Sequence, residues 1–193
     1  NFGDYIVSDC PELRDEAKPG YVIPYSDSPL DRENVGLSVY LDILYRAKKY
    51  VHIMTPYLII DDEMKTALCY AAKRGVDVSI IMPHIPDKKY AFWLAHTYYA
   101  ELIEAGVKIY EFTPGFVHAK VFVSDDIRAV VGSINLDYRS LFLHFECAAY
   151  TYGTNSVRET EEDYLLTLQK CQRITLEDCK KFNIFTKFFG RVL

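Results

Sequence analysis

No apolar run in this chain approaches the roughly 18 residues that a membrane-spanning helix needs, so the chain as given is not itself transmembrane. No signal peptide is visible, and the first residue is Asn1 rather than Met, so a chain processed or cut from something longer is expected. No CxxC pair occurs. Cys10, Cys69, Cys147, Cys171 and Cys179 are odd in number and widely spaced, which fits neither a disulfide framework nor a zinc site. Cys69 and Cys147 fall in apolar segments and are expected as small core residues, with reduced thiols in a reducing compartment. An excess of basic charge is also missing: 22 Lys and Arg stand against 27 Asp and Glu, a net charge of −5. That balance argues against broad nucleic-acid binding, while leaving room for a local basic site. Internal repeats and low-complexity tracts are absent.

What remains is an ordinary globular composition, 50% hydrophobic and 25% charged over 193 residues, enough for one domain with a two- or three-layer core. Residues 1–20 lack sustained periodicity and read as a lead-in or linker ending in Pro19-Gly20. Tyr21 to Tyr25 is a short strand candidate. Leu37, Leu41, Leu44 and Tyr45 recur at helical spacing and predict a helix from about Asn34 to Lys49. Strand, helix and strand follow at Tyr50–Tyr57, Asp62–Lys73 and Val76–Met82; then comes a helix over Lys88–Ala105 and a strand at Val107–Phe112. This alternation predicts an α/β fold, a mixed sheet with helices on both faces. After Gly115 two apolar strands come in quick succession, Phe116–Val123 and Ile127–Gly132, with another at Phe145–Tyr152. Helices near Ser156–Gln169 and Leu176–Phe182 close a single domain over 21–183.

The link Ser124-Asp125-Asp126 between two apolar runs predicts an antiparallel hairpin. With the turn centred on Asp125, His118 lies opposite Gly132 and Lys120 opposite Val130. Positions two apart share a face of a strand, so His118 and Lys120 project together, and Ser133 and Asn135 follow the same spacing just past the second strand. Gly132 opposite His118 would leave room for a ligand atom to approach backbone and ring together. A histidine on an apolar strand is ordinarily a satisfied core residue; this register of polar partners argues for a site instead. Imidazole serves as nucleophile or proton carrier near neutral pH. A neighbouring lysine with hydroxyl and amide donors suits a phosphodiester, whose oxygens carry the negative charge to be held during attack at phosphorus. With no Asp-rich or His-rich cluster nearby, no metal or other cofactor is expected, and the lysine does the neutralising.

The run His118-Ala-Lys120, Asp125, Gly132-Ser133-Ile-Asn135 resembles the HKD motif of the phospholipase D superfamily. Together with YVHIMTPYLIIDDEM, AGVKIYEF and INLDYRSLFLHFE, it is similar to the C-terminal half of bacterial cardiolipin synthases, over about residues 20 to 180. The resemblance implies a phospholipase D-like domain and a phosphatidyltransferase making cardiolipin from two phosphatidylglycerol molecules through a phosphohistidine. It implies His118 as one of two active-site histidines, Lys120 and Asn135 holding phosphate oxygens with Ser133 assisting, and Glu146 hydrogen-bonding the histidine ring. Such enzymes carry two HKD halves, whereas this sequence holds one. Either the other half lies upstream or two copies of the chain pair. Asp125, at the turn, reads as structural, and His144 stands where the family pattern has Asn.

The alternatives are a single-motif homodimeric phosphodiesterase, acting as phospholipase or nuclease, and a catalytically silent protein- or membrane-binding module. No nucleic acid is expected as partner; an anionic phospholipid and a membrane surface are. The expected location is the cell membrane, with the catalytic domain on its cytoplasmic side. Pro56 and Tyr57 are expected at the entrance, Tyr57 being equally a core residue. His52, His84 and His96 read as structural or surface residues, with His84, just past a strand end, a candidate edge of the cleft. The tail 184–193 carries Lys187 and Arg191 among large apolar side chains, and reads either as a docked helix or as an interfacial segment.

Overall fold

Every expected strand but one contributes to a single eight-stranded sheet within three residues of where the sequence puts it. A computed structural model describes residues 20–31 and 33–181. Most of the lead-in, Cys10 and the tail with Lys187 and Arg191 lie outside the described residues. The elements run β1 (Tyr21–Asp27), α1 (Val35–Arg46), β2 (Tyr50–Met54), β3 (Leu58–Ile59), α2 (Asp62–Lys73), β4 (Asp77–Pro83), α3 (Lys89–Glu104) and β5 (Lys108–Phe112). They continue with β6 (Val121–Ser124), β7 (Arg128–Gly132), β8 (Leu136–Asp137), α4 (Tyr138–Phe142), β9 (Glu146–Tyr152), α5 (Asn155–Leu168), β10 (Cys171–Ile174) and α6 (Leu176–Lys181).

The sheet order is β1-β9-β7-β6-β2-β4-β5-β10, and β3 pairs with β8 in a small second sheet. Within the eight-stranded sheet only β2, β4 and β5 pair in parallel, with antiparallel neighbours on either side; β3 and β8 also pair in parallel. Helices cover both faces. On one face the Leu37, Tyr40, Leu41 and Leu44 stripe of α1 joins Met64 and Leu68 of α2, Tyr99 of α3 and Cys179 of α6 over Ile53, Phe122 and Val130 of the sheet. On the other, α5 brings Val157 onto Val123 and Ala129, and Tyr164 onto Met54 and Ile81. Alternation along each strand divides these side chains between the two layers. Burying one such side chain contributes about 1.5–3 kcal/mol.

Local chemistry sets the ends of the elements. Asp61 caps α2 by accepting from the Met64 amide at 2.9 Å, and Gly75 stops it at φ +92°. The strand expected through Tyr57 ends at Met54. Pro56 has no amide proton to give, and the Thr55 hydroxyl leaves the ladder, donating to the Tyr57 carbonyl and accepting from the Leu136 amide. β6 is likewise shorter than the expected Phe116–Val123, because its partner β2 stops at Met54, opposite Val121.

The hairpin register differs from the expected one by two residues. Asp125 and Asp126 both sit at φ +57°, the turn centres on Asp126, and Phe122 pairs with Val130. His118 therefore does not face Gly132. The Gly132 amide donates to the Lys120 carbonyl at 3.3 Å instead. The space left by the absent side chain of Gly132 is taken by β9: a Cβ there would lie 2.6 Å from the Ala148 Cα. Cys147 is exposed, not a core residue, because its face of β9 extends past the part of the sheet that α5 covers.

Candidate active site

The site lies where β2 and β4 end and where the hairpin strands begin and finish, the carboxyl end of parallel strands being the usual ligand crevice of such sheets. The segment 133–137 that follows β7 is held from three sides. The Tyr40 hydroxyl donates to the Ile134 carbonyl at 2.9 Å, Thr55 accepts the Leu136 amide at 3.1 Å, and Asp137 accepts the Ser140 amide at 2.9 Å, starting α4. Asn135 is carried between these fixed points. Its Nδ2 donates to the Ser140 hydroxyl at 2.8 Å, while Oδ1 is buried without a partner. Turning the amide over exchanges the two atoms, lets Ser140 donate to Oδ1, and aims the NH2 where the unpartnered atom now points.

His118 and Lys120 precede β6. The His118 ring is exposed, packed beside Phe116 at a centroid distance of 5.7 Å. The Lys120 ammonium donates to the His118 carbonyl at 2.6 Å. The partial desolvation that this mostly open ring undergoes and the adjacent Lys120 charge both favour the neutral ring and hold the His118 pKa below its ordinary value, against a smaller pull from Asp87. Burial lowers the Lys120 pKa too, opposed by the Glu146 and Asp137 carboxylates that face it. Three acidic groups thus act on the motif pair, Asp87 on His118 and Glu146 with Asp137 on Lys120.

Glu146 is placed differently from the expectation. Its side chain, 8% exposed, accepts a hydrogen bond from the Ser133 hydroxyl and lies 3.5 Å from His144 Nδ1; it makes no hydrogen bond to His118. The reason is the register: the β7–β9 ladder ends at Gly132 opposite Ala148, β9 continues to Glu146 against Asp27 of β1, and the Glu146 side chain falls beside Ser133, the first residue past β7. His144 is held by Arg139, whose Nη2 is 3.1 Å from its Nε2. Asp125 is distant from this cluster. Its carboxylate accepts from the amides of Lys48, Lys49 and Tyr50 at 2.8 to 3.0 Å, tying the hairpin tip to the start of β2.

A cleft of about 150 Å³ opens beside Asn135, lined by Tyr57, Lys88, Tyr90, Tyr138, Arg139 and His144 among others. Tyr57 donates to Asp87 at 2.7 Å, and burial together with that bond pushes its hydroxyl up to about 12. Pro56 lines a smaller depression next to it with Asp87 and Phe116. His84 is not part of the cleft lining: its Nδ1 is 2.8 Å from the buried Glu111, which also takes His96 at 3.0 Å. His52 is buried against Glu161 and stacked on Tyr164. Asp87, Lys88 and Arg139 escape a motif search. The position of Asp87 and Lys88, just after a parallel strand ends, was the signal that points to them. Among the described residues no group of three or more His, Cys, Asp or Glu side chains is arranged to hold a metal ion.

The family model described as "Cardiolipin synthase, PLD-like domain" matches residues 40–165. The chain is 58% identical, over its full length, to an uncharacterised protein of Streptococcus mutans, of which it covers 41%. It is 37% identical over 95% of its length to a cardiolipin synthase of Alkalihalophilus pseudofirmus, of which it covers 36%. The chain thus spans about two fifths of the length of these relatives. Among solved structures its fold is similar to that of the phospholipase D family member Nuc from Salmonella typhimurium, with a TM-score of 0.67 at 20% identity, over 81% of this chain and 99% of that one.

Proposed function

The chain belongs to the family of cardiolipin synthase, PLD-like domains, and from that membership we propose that it is one catalytic half of a phosphatidyltransferase that makes cardiolipin from two molecules of phosphatidylglycerol. The observation that carries this reading is the convergence, at one end of the sheet, of His118 with Lys120, and of Asn135 with the Ser133–Glu146 pair, beside an open cleft. A ring nitrogen attacks phosphorus, the bond from phosphorus to the glycerol oxygen breaks, and a second histidine gives its proton to the departing alkoxide. That histidine then takes the proton of the acceptor hydroxyl, whose oxygen attacks phosphorus as the phosphorus–nitrogen bond breaks. One phosphodiester replaces another, so no nucleotide is consumed. Lys120, Ser133 and the Asn135 amide hold the charged oxygens, worth most when already in place. The lowered pKa of His118 favours the unprotonated ring that attack at phosphorus requires. The second histidine comes from another HKD half, within a longer chain or from a second copy. Membrane location follows from the substrate; among the described residues no helix is long and apolar enough to cross a bilayer.

The test gives phosphatidylglycerol micelles to the chain extended upstream to include a second motif, beside its His118→Ala variant, with products read by mass spectrometry. Cardiolipin with released glycerol, lost by at least the ~10²–10⁴-fold that a positioned acid or base supplies, is the expected result. Phosphatidic acid, or no lipid product, overturns the transferase reading in favour of a hydrolase or a silent binding domain.

A further inference from the structure

From the end of β4 into the first turn of α3, seven consecutive residues, His84 to Tyr90, are exposed, and Lys88 and Tyr90 among them line the mouth of the site. Within this stretch and just past it, Ile85, Tyr90 and Trp93 are 50%, 56% and 49% exposed. Lys88 and Lys89 sit between them. Across the cleft, Leu143 and Phe145 flank His144 at 55% and 70% exposure, next to Arg139. The single acidic side chain of 84–94, Asp87, is engaged by Tyr57, and 138–145 holds no acidic residue at all. In a chain of net charge −5, the exposed rim of this opening thus carries cations and bare apolar side chains, while the carboxylates next to it, Asp137 and Glu146, are buried.

We infer that this rim is the surface that enters an anionic lipid headgroup layer, with Ile85, Tyr90 and Trp93 passing into the acyl boundary and Lys88 and Lys89 meeting lipid phosphates. The inference rests on the lipid-substrate reading of the site. Tyrosine and tryptophan favour the boundary between water and hydrocarbon, having an apolar body and a polar handle. Lysine there lays its stem along apolar surface while its ammonium stays at the phosphates. A protein partner fits less well, because the cores of protein interfaces are depleted in lysine. Docked this way, the cleft opens onto the layer that supplies the phosphodiester, and the substrate need not leave it.

Trp93 is the sole tryptophan, so its emission reports on this rim alone. The protein is mixed with vesicles of phosphatidylcholine, or of equal parts phosphatidylcholine and phosphatidylglycerol. Expected are a blue shift and protection from acrylamide with the mixed vesicles, and little change with phosphatidylcholine alone. Lys88→Ala and Lys89→Ala should each lower partitioning about fivefold, the effect of one cation near an anionic surface. Added salt should weaken binding of the unaltered protein in the same sense. Sedimentation with vesicles while Trp93 emission stays constant overturns the inference, as does failure to sediment. A blue shift that grows with protein concentration in the absence of vesicles assigns the rim to a second copy and overturns it equally. His118→Ala keeps the Trp93 response, so loss of transfer and loss of docking are read separately.

Discussion

Asp125 and Lys49 are 76 residues apart in sequence, yet the carboxylate of the first accepts the backbone amide of the second at 2.8 Å. The same carboxylate takes the amides of Lys48 and Tyr50, and so pins the β6–β7 turn to the strand that adjoins it. In the motif, this aspartate clamps the hairpin, and His118 and Lys120 lie just before the far end of the strand that leads into it.

Asp125→Ala should therefore cost stability rather than chemistry. Three amides lose a charged acceptor, and a residue at φ +57° loses the short polar side chain that tolerates this conformation. A loss of about 3 kcal/mol is expected, and less for Asp125→Asn, which keeps one acceptor oxygen. Urea unfolding of the two variants checks the order; equal stability of Asp125→Ala and the unaltered chain contradicts the clamp.

The environment of His118 predicts its titration. Partial desolvation and Lys120 hold its pKa below the ordinary imidazole value, and Asp87 pulls the other way. Lys120→Met should raise it, because a like charge is removed, and Asp87→Asn should lower it further, because an opposite charge is removed. Histidine ring proton chemical shifts followed against pH by NMR give all three values. Movement in the reverse direction for either variant shows that the charges do not act on this ring.

Glu111 predicts an acid limb in stability. Burial would raise its pKa, but the bonds from His96 and His84 outweigh that and hold it below the ordinary glutamate value near 4.5. A carboxylate lowered in the folded state stabilises the fold fully above its unfolded pKa. The contribution is lost as pH falls through the folded value. Unfolding free energies measured from pH 7 down to pH 3 should drop over that window, and Glu111→Gln should flatten the drop.

Much of this was legible beforehand because the signals were periodic. The apolar stripe of α1 is buried as its spacing says, and α2 and β4 stand where the sequence puts them, whereas β2, read as alternating, is buried almost throughout because helices cover both faces of the sheet. Two consecutive left-handed residues decided the hairpin, and Asp125-Asp126 reads the same whether the turn centres on the first or the second. That ambiguity misplaced Gly132 against His118. The partner of Glu146 was hidden for a related reason: only the β7–β9 register brings it to Ser133. β3, β8 and β10 have two to four residues each, too few for any period, and they exist because Thr55 and neighbouring strands supply their partners.

β1 closes against β9, Tyr21 meeting Tyr152 and Asp27 meeting Glu146. Contacts across such a stretch of chain are slow to form, because the loop between them must close first. Asp27 also supplies the acceptor that starts α1, taking the Gly36 amide at 2.7 Å where Asn34 makes no side-chain cap. The opening turn of the first helix is therefore tied to β1, and so to the docking of β1 on β9, and the edge that borders Glu146 is expected to be completed late in folding. In a hydrogen-exchange time course, β1 and the first turn of α1 should gain protection together, after β2, β4 and β6 have become protected.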